Sequence, residues 1–323
     1  MERRVLTRWL VLSGLLVAAF IGTVITLNLT LYSASGFVNS YLQALARRDV
    51  DGALAMPGVR LTGTGSTALV SPGALGDLGG IRFLRDTDDG AGRHTVVYGY
   101  SFSGLTGTSS FAVEHTGSRL GLFSAWRFVT SPEGTLRLTP LHDDDFEANS
   151  VSLVSKGGAN VAESYRVLTP ASLELSHTST YLAAPKTRVL VTVAGSTVDA
   201  SVDIQANESF IREVQQELDK YLAGCVTQQV LLPTECPMGT QITDRIQDAP
   251  VWAMVTFPKV TIAPGPEAGS WVIPDTKGTA HLTVKVKSIF DGSLSTFDQD
   301  VAFSVRYVIT FQADGSPLIT AQY

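Results

Sequence analysis

The longest hydrophobic segment of the chain lies close to its N-terminus. Residues 9–32 read WLVLSGLLVAAFIGTVITLNLTLY and contain no charged side chain. A helix of about 20 apolar residues crosses the hydrocarbon core of a bilayer, so this segment is predicted to be a transmembrane helix. The alternatives are a buried core helix, which the lack of an amphipathic pattern disfavours, and a cleaved signal peptide ending at Ser33-Ala34-Ser35, which the length of the apolar run disfavours.

Basic residues flank this segment unevenly. Arg3, Arg4 and Arg8 precede it, whereas the first basic residues after it are Arg47 and Arg48. Because positive charge favours the cytoplasmic side, residues 1–8 are predicted to be a cytoplasmic stub and the rest of the chain to be exported.

A helix and then a series of strands are predicted after the apolar segment. Apolar residues recur with the period of a helix at Phe37, Val38, Tyr41, Leu42 and Leu45. Ser33 or Ser35 is expected to cap this helix, and Arg47 and Arg48 are expected in its last turn, before a second short helix over Asp49–Ala55. Residues 58–92 are rich in Gly, Ser and Thr and are predicted to form short strands and loops. Alternating patterns then predict strands over 94–102, 109–115 and 121–130. The order predicts an α+β domain over residues 33–140.

The middle of the chain has a purely β pattern. Residues 141–160 are predicted to be a linker, and residues 161–206 a small β-sandwich module. The evidence for the module is two alternating runs, 189–193 and 198–204, separated by the turn Gly195-Ser196.

A second helix-then-strands segment covers residues 207–323. Asn207 is expected to cap a helix with an apolar stripe that includes Phe210, Val214, Leu218 and Leu222. Strands are predicted over 251–262, 279–287, 301–311 and 318–322. The predicted fold class is therefore α+β, with one N-terminal transmembrane helix and two helix-on-antiparallel-sheet domains flanking a small all-β module.

The two cysteines, Cys225 and Cys236, are predicted to form a disulfide if the domain is exported. A zinc site is the weaker alternative, because two cysteines alone cannot supply tetrahedral coordination and no histidine is near them in the sequence.

The formal net charge of −6 gives no electrostatic reason to bind nucleic acid, and it also argues against binding along an anionic membrane surface. Nucleic acid is therefore excluded as a partner. The apolar helix makes membrane lipid the first predicted partner.

No arrangement of residues predicts catalysis, a cofactor or a metal. The histidines are His94, His115, His142, His177 and His281. The acidic runs 86–90 and 143–145 could supply oxygen ligands to Ca²⁺, but neither matches the spacing of a calcium-binding loop, so both are predicted to be solvated turns. Asn207-Glu208-Ser209 matches a glycosylation sequon, although a helix cap is the simpler interpretation.

The two helix-then-strands segments resemble domains of the nuclear-transport-factor-2-like superfamily, the cystatin-like α+β cone. In the first, the resemblance rests on SGFVNSYLQALARRDVDGALAM, TVVYGYSF, SSFAVEHT and FSAWRFVT; in the second, on ESFIREVQQELDKYLAGC, TAHLTVKVKS and DVAFSVRYVITF. The superfamily includes dehydratases and isomerases that hold an Asp–His pair in the cone.

The segment LAGCVTQQVLLPTECPMG resembles a recurring part of uncharacterised membrane-anchored actinobacterial proteins. The predicted order of domains is similar to that of the TcaA-like envelope proteins associated with teicoplanin susceptibility. Many of those proteins carry an N-terminal zinc ribbon, whereas this chain has no cysteine before Cys225.

These observations predict a membrane-anchored extracytoplasmic protein with a non-catalytic binding or assembly role in the cell envelope. Its partners would be cell-wall material or other membrane proteins. A small-molecule-binding or sensing pocket inside a cone domain is the second hypothesis, and a pocket enzyme is the third.

Overall fold

The structure is a computed structural model that describes residues 2–312 and 314–321, with side chains described from Arg8 onward. The fold is α+β and consists mostly of sheet, as the sequence predicts. Gln322, which the sequence pattern assigns to the last strand, lies outside the described residues.

The first helix, α1, covers Glu2–Leu29. Its segment Arg8–Leu29 is long and apolar enough to cross a membrane. No residue in the most apolar 18-residue stretch of this segment is buried inside the protein. The alternative of a buried core helix is therefore wrong.

Two short helices follow, α2 over Ala34–Ala46 and α3 over Val50–Leu54. Ser33 caps α2 by accepting a hydrogen bond from the Gly36 N–H, which confirms one of the two predicted caps. Arg47 and Arg48, predicted in the last turn, lie beyond the end of the helix, because the backbone of Arg48 turns to a left-handed φ of 57°.

The first sheet is antiparallel, with the order β1-β2-β3-β4. Its strands are β1 Leu78–Gly90, β2 Arg93–Phe102, β3 Leu105–Arg119 and β4 Phe123–Phe128. The predicted alternation in β2 is confirmed, since Val96, Tyr98, Tyr100 and Phe102 are all buried. They pack with the apolar face of α2, around the fully buried Tyr41, to form the first core.

The acidic run 86–90 is not a turn, contrary to the prediction. It forms the end of β1 and pairs with β2, and the turn lies beyond it at Ala91 and Gly92, where φ is positive. Cross-strand hydrogen bonds explain why aspartates are tolerated in a strand here: Asp86 binds the His94 ring, and Asp89 accepts from the Thr95 hydroxyl.

Two middle sheets come next, with the orders β12-β10-β9-β6-β7 and β11-β5-β8. Their strands are β5 Glu133–Leu141, β6 Asp145–Ala148, β7 Val151–Val154, β8 Glu163–Leu168, β9 Ala171–Thr178, β10 Leu182–Val191, β11 Thr197–Asp203 and β12 Gln205–Ala206. Most pairs are antiparallel, but β11 runs parallel to β5.

Residues 141–160, predicted to be a linker, contain β6 and β7. Phe146 and Ala148 of β6 are buried in the same core as β9, to which β6 is paired. β6 and β7 have four residues each and are too short to show a clear alternation, and β6 also contains Asp145 and Glu147. The pairing partner rather than the local pattern therefore makes β6 a strand.

The C-terminal segment begins with α4, Glu208–Cys225, capped by Asn207, whose side chain accepts from the N–H groups of Ser209 and Phe210. The C-terminal sheet packs on α4. Its strands are β13 Arg245–Ile246, β14 Val251–Thr256, β15 Ala263–Pro264, β16 Ser270–Lys287, β17 Leu294–Phe311 and β18 Pro317–Ala321. The predicted strand over 251–262 therefore ends at Thr256 and continues irregularly.

The middle sheets and the C-terminal segment share one continuous core. It runs from Leu136 in β5 through Phe210 and Trp271 to Ile309 in β17. The first core is separate, but Tyr41 joins the two regions, because its hydroxyl lies 3.0 Å from the Pro132 carbonyl and 2.9 Å from the Thr169 carbonyl.

Candidate functional site

The apolar helix is attached to the first sheet by a set of specific contacts. The Asn28 side chain donates to the Leu122 carbonyl and accepts from the Ser124 N–H, both at 2.8 Å. One turn further on, the ring of Tyr32 stacks on Phe123, with centroids 4.5 Å apart. The Trp126 indole donates to the Tyr32 carbonyl at 2.8 Å. These contacts fix the orientation of the helix end relative to β4.

A second feature is the apolar tip of the β16–β17 hairpin, residues 288–294, which we call the distal tip. Its apolar side chains are among the most exposed in the chain: Phe290 is 97 % exposed, Ile289 75 % and Leu294 73 %. Burying such side chains is worth roughly 1.5–3 kcal/mol each, so their exposure is unfavourable unless they contact something else.

The distal tip is also ordered by hydrogen bonds. The Ser288 hydroxyl oxygen accepts from the N–H groups of Phe290 and Asp291, and the Asp291 carboxylate accepts from the N–H and hydroxyl of Ser293. The bonds from Ser293 lower the pKa of Asp291, so this carboxylate is ionised at neutral pH. The tip therefore presents its apolar side chains on a defined backbone.

A cleft lies between α4 and the C-terminal sheet. It has a volume of about 420 Å³ and an apolar floor that includes Val214, Leu218 and Ile273. Glu217 and Glu235 lie on its rim. This volume is within the range of small-molecule sites, which measure roughly 300–1,000 Å³.

The disulfide holds one wall of this cleft. Cys225 and Cys236 are bonded, with their Cα atoms 5.8 Å apart, as predicted. The bond fixes the segment that follows α4 against the helix. Trp252 supports the same segment from β14, because its indole donates to the Val230 carbonyl at 2.8 Å.

The histidines do not converge on one site in the described part of the chain. His94 and His115 contact the Trp126 ring, and the ring of buried His177 lies 2.8 Å from the Asp145 carbonyl. His142 lies near Asp203, at 3.4 Å.

His281 is the histidine with the most acidic surroundings. Its ring nitrogens lie 2.7 Å from Asp300 and 2.6 Å from Asp298, across the β16–β17 pair. The hydrogen bonds to Asp300 and Asp298 raise the pKa of His281 above its usual value. The cluster lies on the solvent face of the sheet, opposite the buried Ala280 and Leu282, so it is open to water.

Among the described residues, no group of His, Cys, Asp or Glu side chains has the geometry to hold a metal ion. In the second acidic run, Asp143 accepts from the N–H of Asp145, which begins β6.

No known protein family, curated protein or solved structure matches this chain.

The structure brings the predicted cysteines together, whereas the distal tip was not predicted from the sequence. A signal for it was present: Ile289 and Phe290 directly precede Asp291-Gly292, a dipeptide typical of turns, so two large apolar residues lie next to a turn signal. Turn residues are usually solvent-exposed, so this pattern predicts an exposed apolar pair.

Proposed function

We propose that this protein is a membrane-anchored extracytoplasmic protein with a non-catalytic binding or assembly role in the cell envelope. In this proposal α1 is the transmembrane anchor, and its N-terminus lies in the cytoplasm. The uneven distribution of arginine around the span and the disulfide, which forms in oxidising compartments, support this topology.

The proposed architecture is that of two cone-like α+β units joined by a β module. The support is that α2 packs on the first sheet and α4 on the C-terminal sheet, with the two middle sheets between them in sequence.

Thiol labelling in intact cells tests the topology. The chain has two cysteines, and both are in the disulfide, so a membrane-impermeant maleimide should label it only after reduction. Labelling that needs permeabilisation but no reductant would place the domains in the cytoplasm and refute the proposal.

The observation that carries the binding role is the distal tip. Its three exposed side chains are one aromatic and two aliphatic groups, which carry no hydrogen-bonding group with which to bind the hydroxyls of a sugar. Aromatic anchors on an ordered backbone are typical of protein–protein hot spots. We therefore propose another envelope protein, with an apolar pocket, as the partner.

Site-specific photo-cross-linking tests this role. A photoreactive amino acid at Phe290 should give a discrete cross-linked protein product in cells. The same group at Lys277, an exposed position in the middle of the same hairpin, should not. Absence of a product from Phe290, or equal products from both positions, would refute the tip as the binding surface.

The cleft beside α4 favours a second candidate function, the binding of a small apolar molecule with a cationic group that pairs with Glu217 or Glu235. Native mass spectrometry of the full chain tests it. A bound molecule should be retained by the wild type and by Leu190→Trp on exposed β10, and lost in Ile319→Trp, which fills the cleft. Retention in Ile319→Trp would refute the candidate.

A further inference from the structure

The end of the β3–β4 hairpin projects beyond the rest of the first sheet. β2 begins at Arg93, which pairs with Glu114, so the residues of β3 after His115 pair with β4 alone. Residues 116–125 therefore form a two-stranded extension, which we call the ribbon. Arg119 is its sole charged residue, and its sequence is TGSRLGLFSA.

An exposed leucine occupies the turn of the ribbon. Leu120 and Gly121 have φ values of 53° and 68°, and the Leu122 N–H donates to the Arg119 carbonyl, which is a type I′ turn. The first central position of such a turn favours Asn or Asp, since a left-handed φ is unfavourable for Leu. Leu120 is nevertheless 90 % exposed, so neither turn geometry nor burial within this chain accounts for it.

The contacts between the ribbon and α1 give the direction in which this leucine lies. Trp126 and Phe123 contact Tyr32, whereas Ser124 and the Leu122 carbonyl contact Asn28. Trp126 binds the Tyr32 carbonyl and the Leu122 carbonyl, nearer the tip, binds Asn28, so the ribbon runs from Trp126 to its tip in the direction of the N-terminus of α1. Leu120 lies beyond Leu122, past the level of Asn28.

The pattern of exposed and partly buried residues along α1 agrees with this direction of the ribbon. Val24, Leu27 and Asn28 share one face of the helix and are less exposed than the other residues of its apolar segment, which ends at Leu29. With a rise of 1.5 Å per residue, Val24 lies about 7.5 Å inside the end of that segment. The interfacial layer on each side of a bilayer is also roughly 5–7 Å deep. With the end of the apolar segment at the outer edge of the interfacial layer, Val24 lies where acyl chains meet headgroups. The ribbon tip, which reaches past Asn28 toward Val24, lies near the same level.

The residues around the ribbon tip are of the types that are common at a membrane interface. Tyr32 and Trp126 are the aromatic types enriched at membrane interfaces, and they lie on the domain side of the tip. Arg119 lies beside the tip and lines a groove together with Arg47 and Asp49, and long arginine side chains reach phosphates while their stems lie in apolar surroundings. The acidity of the whole chain does not oppose this contact, because the ribbon contains no carboxylate side chain.

We propose that the ribbon is a second membrane contact, with Leu120 and Leu122 inserted among the lipids of the leaflet nearest the folded domains. This inference rests on α1 being a membrane anchor, but it does not depend on the distal tip or on its partner. The ribbon and α1 together would hold the first sheet in one orientation on the bilayer surface, which a single flexible tether would not do.

Depth-dependent fluorescence quenching tests the proposal. The full chain, reconstituted in phosphatidylcholine vesicles, carries the environment-sensitive fluorophore NBD on Leu120→Cys. The control carries it on Leu105→Cys, another exposed leucine, at the opposite end of β3 and about 45–50 Å away at the rise of a strand. The native cysteines do not react without reductant, since both are in the disulfide.

Lipids that carry a quencher near the headgroup should quench the fluorophore at Leu120 strongly and the one at Leu105 weakly. Equal quenching at the two positions, in protein that still floats with the vesicles, would overturn the ribbon contact and leave the anchor intact. Failure to float would instead refute the anchor. Shielding of the Leu120 probe that disappears on dilution of protein in lipid would indicate a second copy of the chain and would also overturn the proposal.

A second variant separates membrane contact from folding. Leu120→Asn places a favoured residue in the type I′ turn, so the melting temperature should not fall. With the fluorophore on Leu122→Cys, this substitution should lower lipid quenching toward the level at Leu105. Unchanged quenching at an unchanged melting temperature would show that Leu120 does not contribute to the contact.

Discussion

The buried ion pair of Glu133 and Arg166 gives the sharpest test of how the loop around Thr62 is attached to the sheet β11-β5-β8. The two residues lie on neighbouring strands, β5 and β8, and both are buried, with a nitrogen–oxygen distance of 2.5 Å. Glu133 also accepts from the N–H and the hydroxyl of Thr62, and Arg166 donates to the Thr135 hydroxyl. The pair therefore fixes the loop around Thr62 to the sheet.

Glu133→Gln keeps the size of the side chain but leaves the Arg166 charge buried without a counterion. Breaking a buried pair in this way costs about 3–5 kcal/mol, and we expect a loss near the lower limit, because the glutamine oxygen can still accept from Thr62. Thr62→Val removes one hydrogen bond to the carboxylate and should cost about 1–2 kcal/mol.

The matched control is the double variant Glu133→Gln with Arg166→Met, which removes both charges. Replacing a buried pair by uncharged groups is often close to neutral, so the double variant should be more stable than the single Glu133→Gln. Urea unfolding of the full chain in detergent micelles, followed by circular dichroism, measures both.

The pH dependence of the same variants gives a second check. Burial alone would raise the pKa of Glu133, but the hydrogen bonds from Arg166 and Thr62 lower it below its ordinary value of 4.5. Because a depressed carboxyl pKa stabilises the fold above the unfolded value, the contribution should be complete above about pH 4.5 and lost as the pH falls through the folded pKa. A loss under about 1 kcal/mol in Glu133→Gln, or a double variant that is no more stable than Glu133→Gln, would refute this reasoning.

Three further changes test other parts of the structure. Replacing Cys225 and Cys236 with serine opens the loop beside α4, which should lower the free energy of unfolding by about 2–3 kcal/mol in a urea titration. His281→Gln should abolish a decline in melting temperature with rising pH, because a raised histidine pKa stabilises the fold below its unfolded value near 6.5 and the effect is lost as the pH rises through the folded pKa. Tyr41→Phe deprives the Pro132 and Thr169 carbonyls of their buried donor and should cost about 1–2 kcal/mol by the same titration.

Each of these has an outcome that contradicts it. Equal stability of the wild type under reducing and oxidising conditions would show that the disulfide does not stabilise the fold. A pH-dependent decline that persists in His281→Gln would assign it to another group. For Tyr41→Phe, unchanged stability would mean that water replaces the hydroxyl between the two carbonyls.

The sequence by itself determined the elements that have a long and regular pattern. The apolar run before Leu29, the buried face of β2 and the stripe of α4 each repeat with one period over many residues, so local physics is sufficient to predict them. The caps Ser33 and Asn207 were predictable for the same reason, since a cap binds N–H groups two or three residues away.

The same was true of the bond between Cys225 and Cys236. They are the two cysteines in the chain and are separated by 11 positions, so an oxidising environment leaves each with one partner.

Only the tertiary structure decided which short segments become strands. The aspartate-rich end of β1 and the four-residue strand β6 have little strand propensity of their own, and they are strands because β2 and β9 offer hydrogen bonds to them. The tertiary structure also placed Leu120 beyond Leu122, whose carbonyl binds Asn28, and it placed Phe290 at an ordered hairpin tip. Exposure of an apolar side chain depends on residues distant in sequence that could have covered it, so no local pattern contains that information.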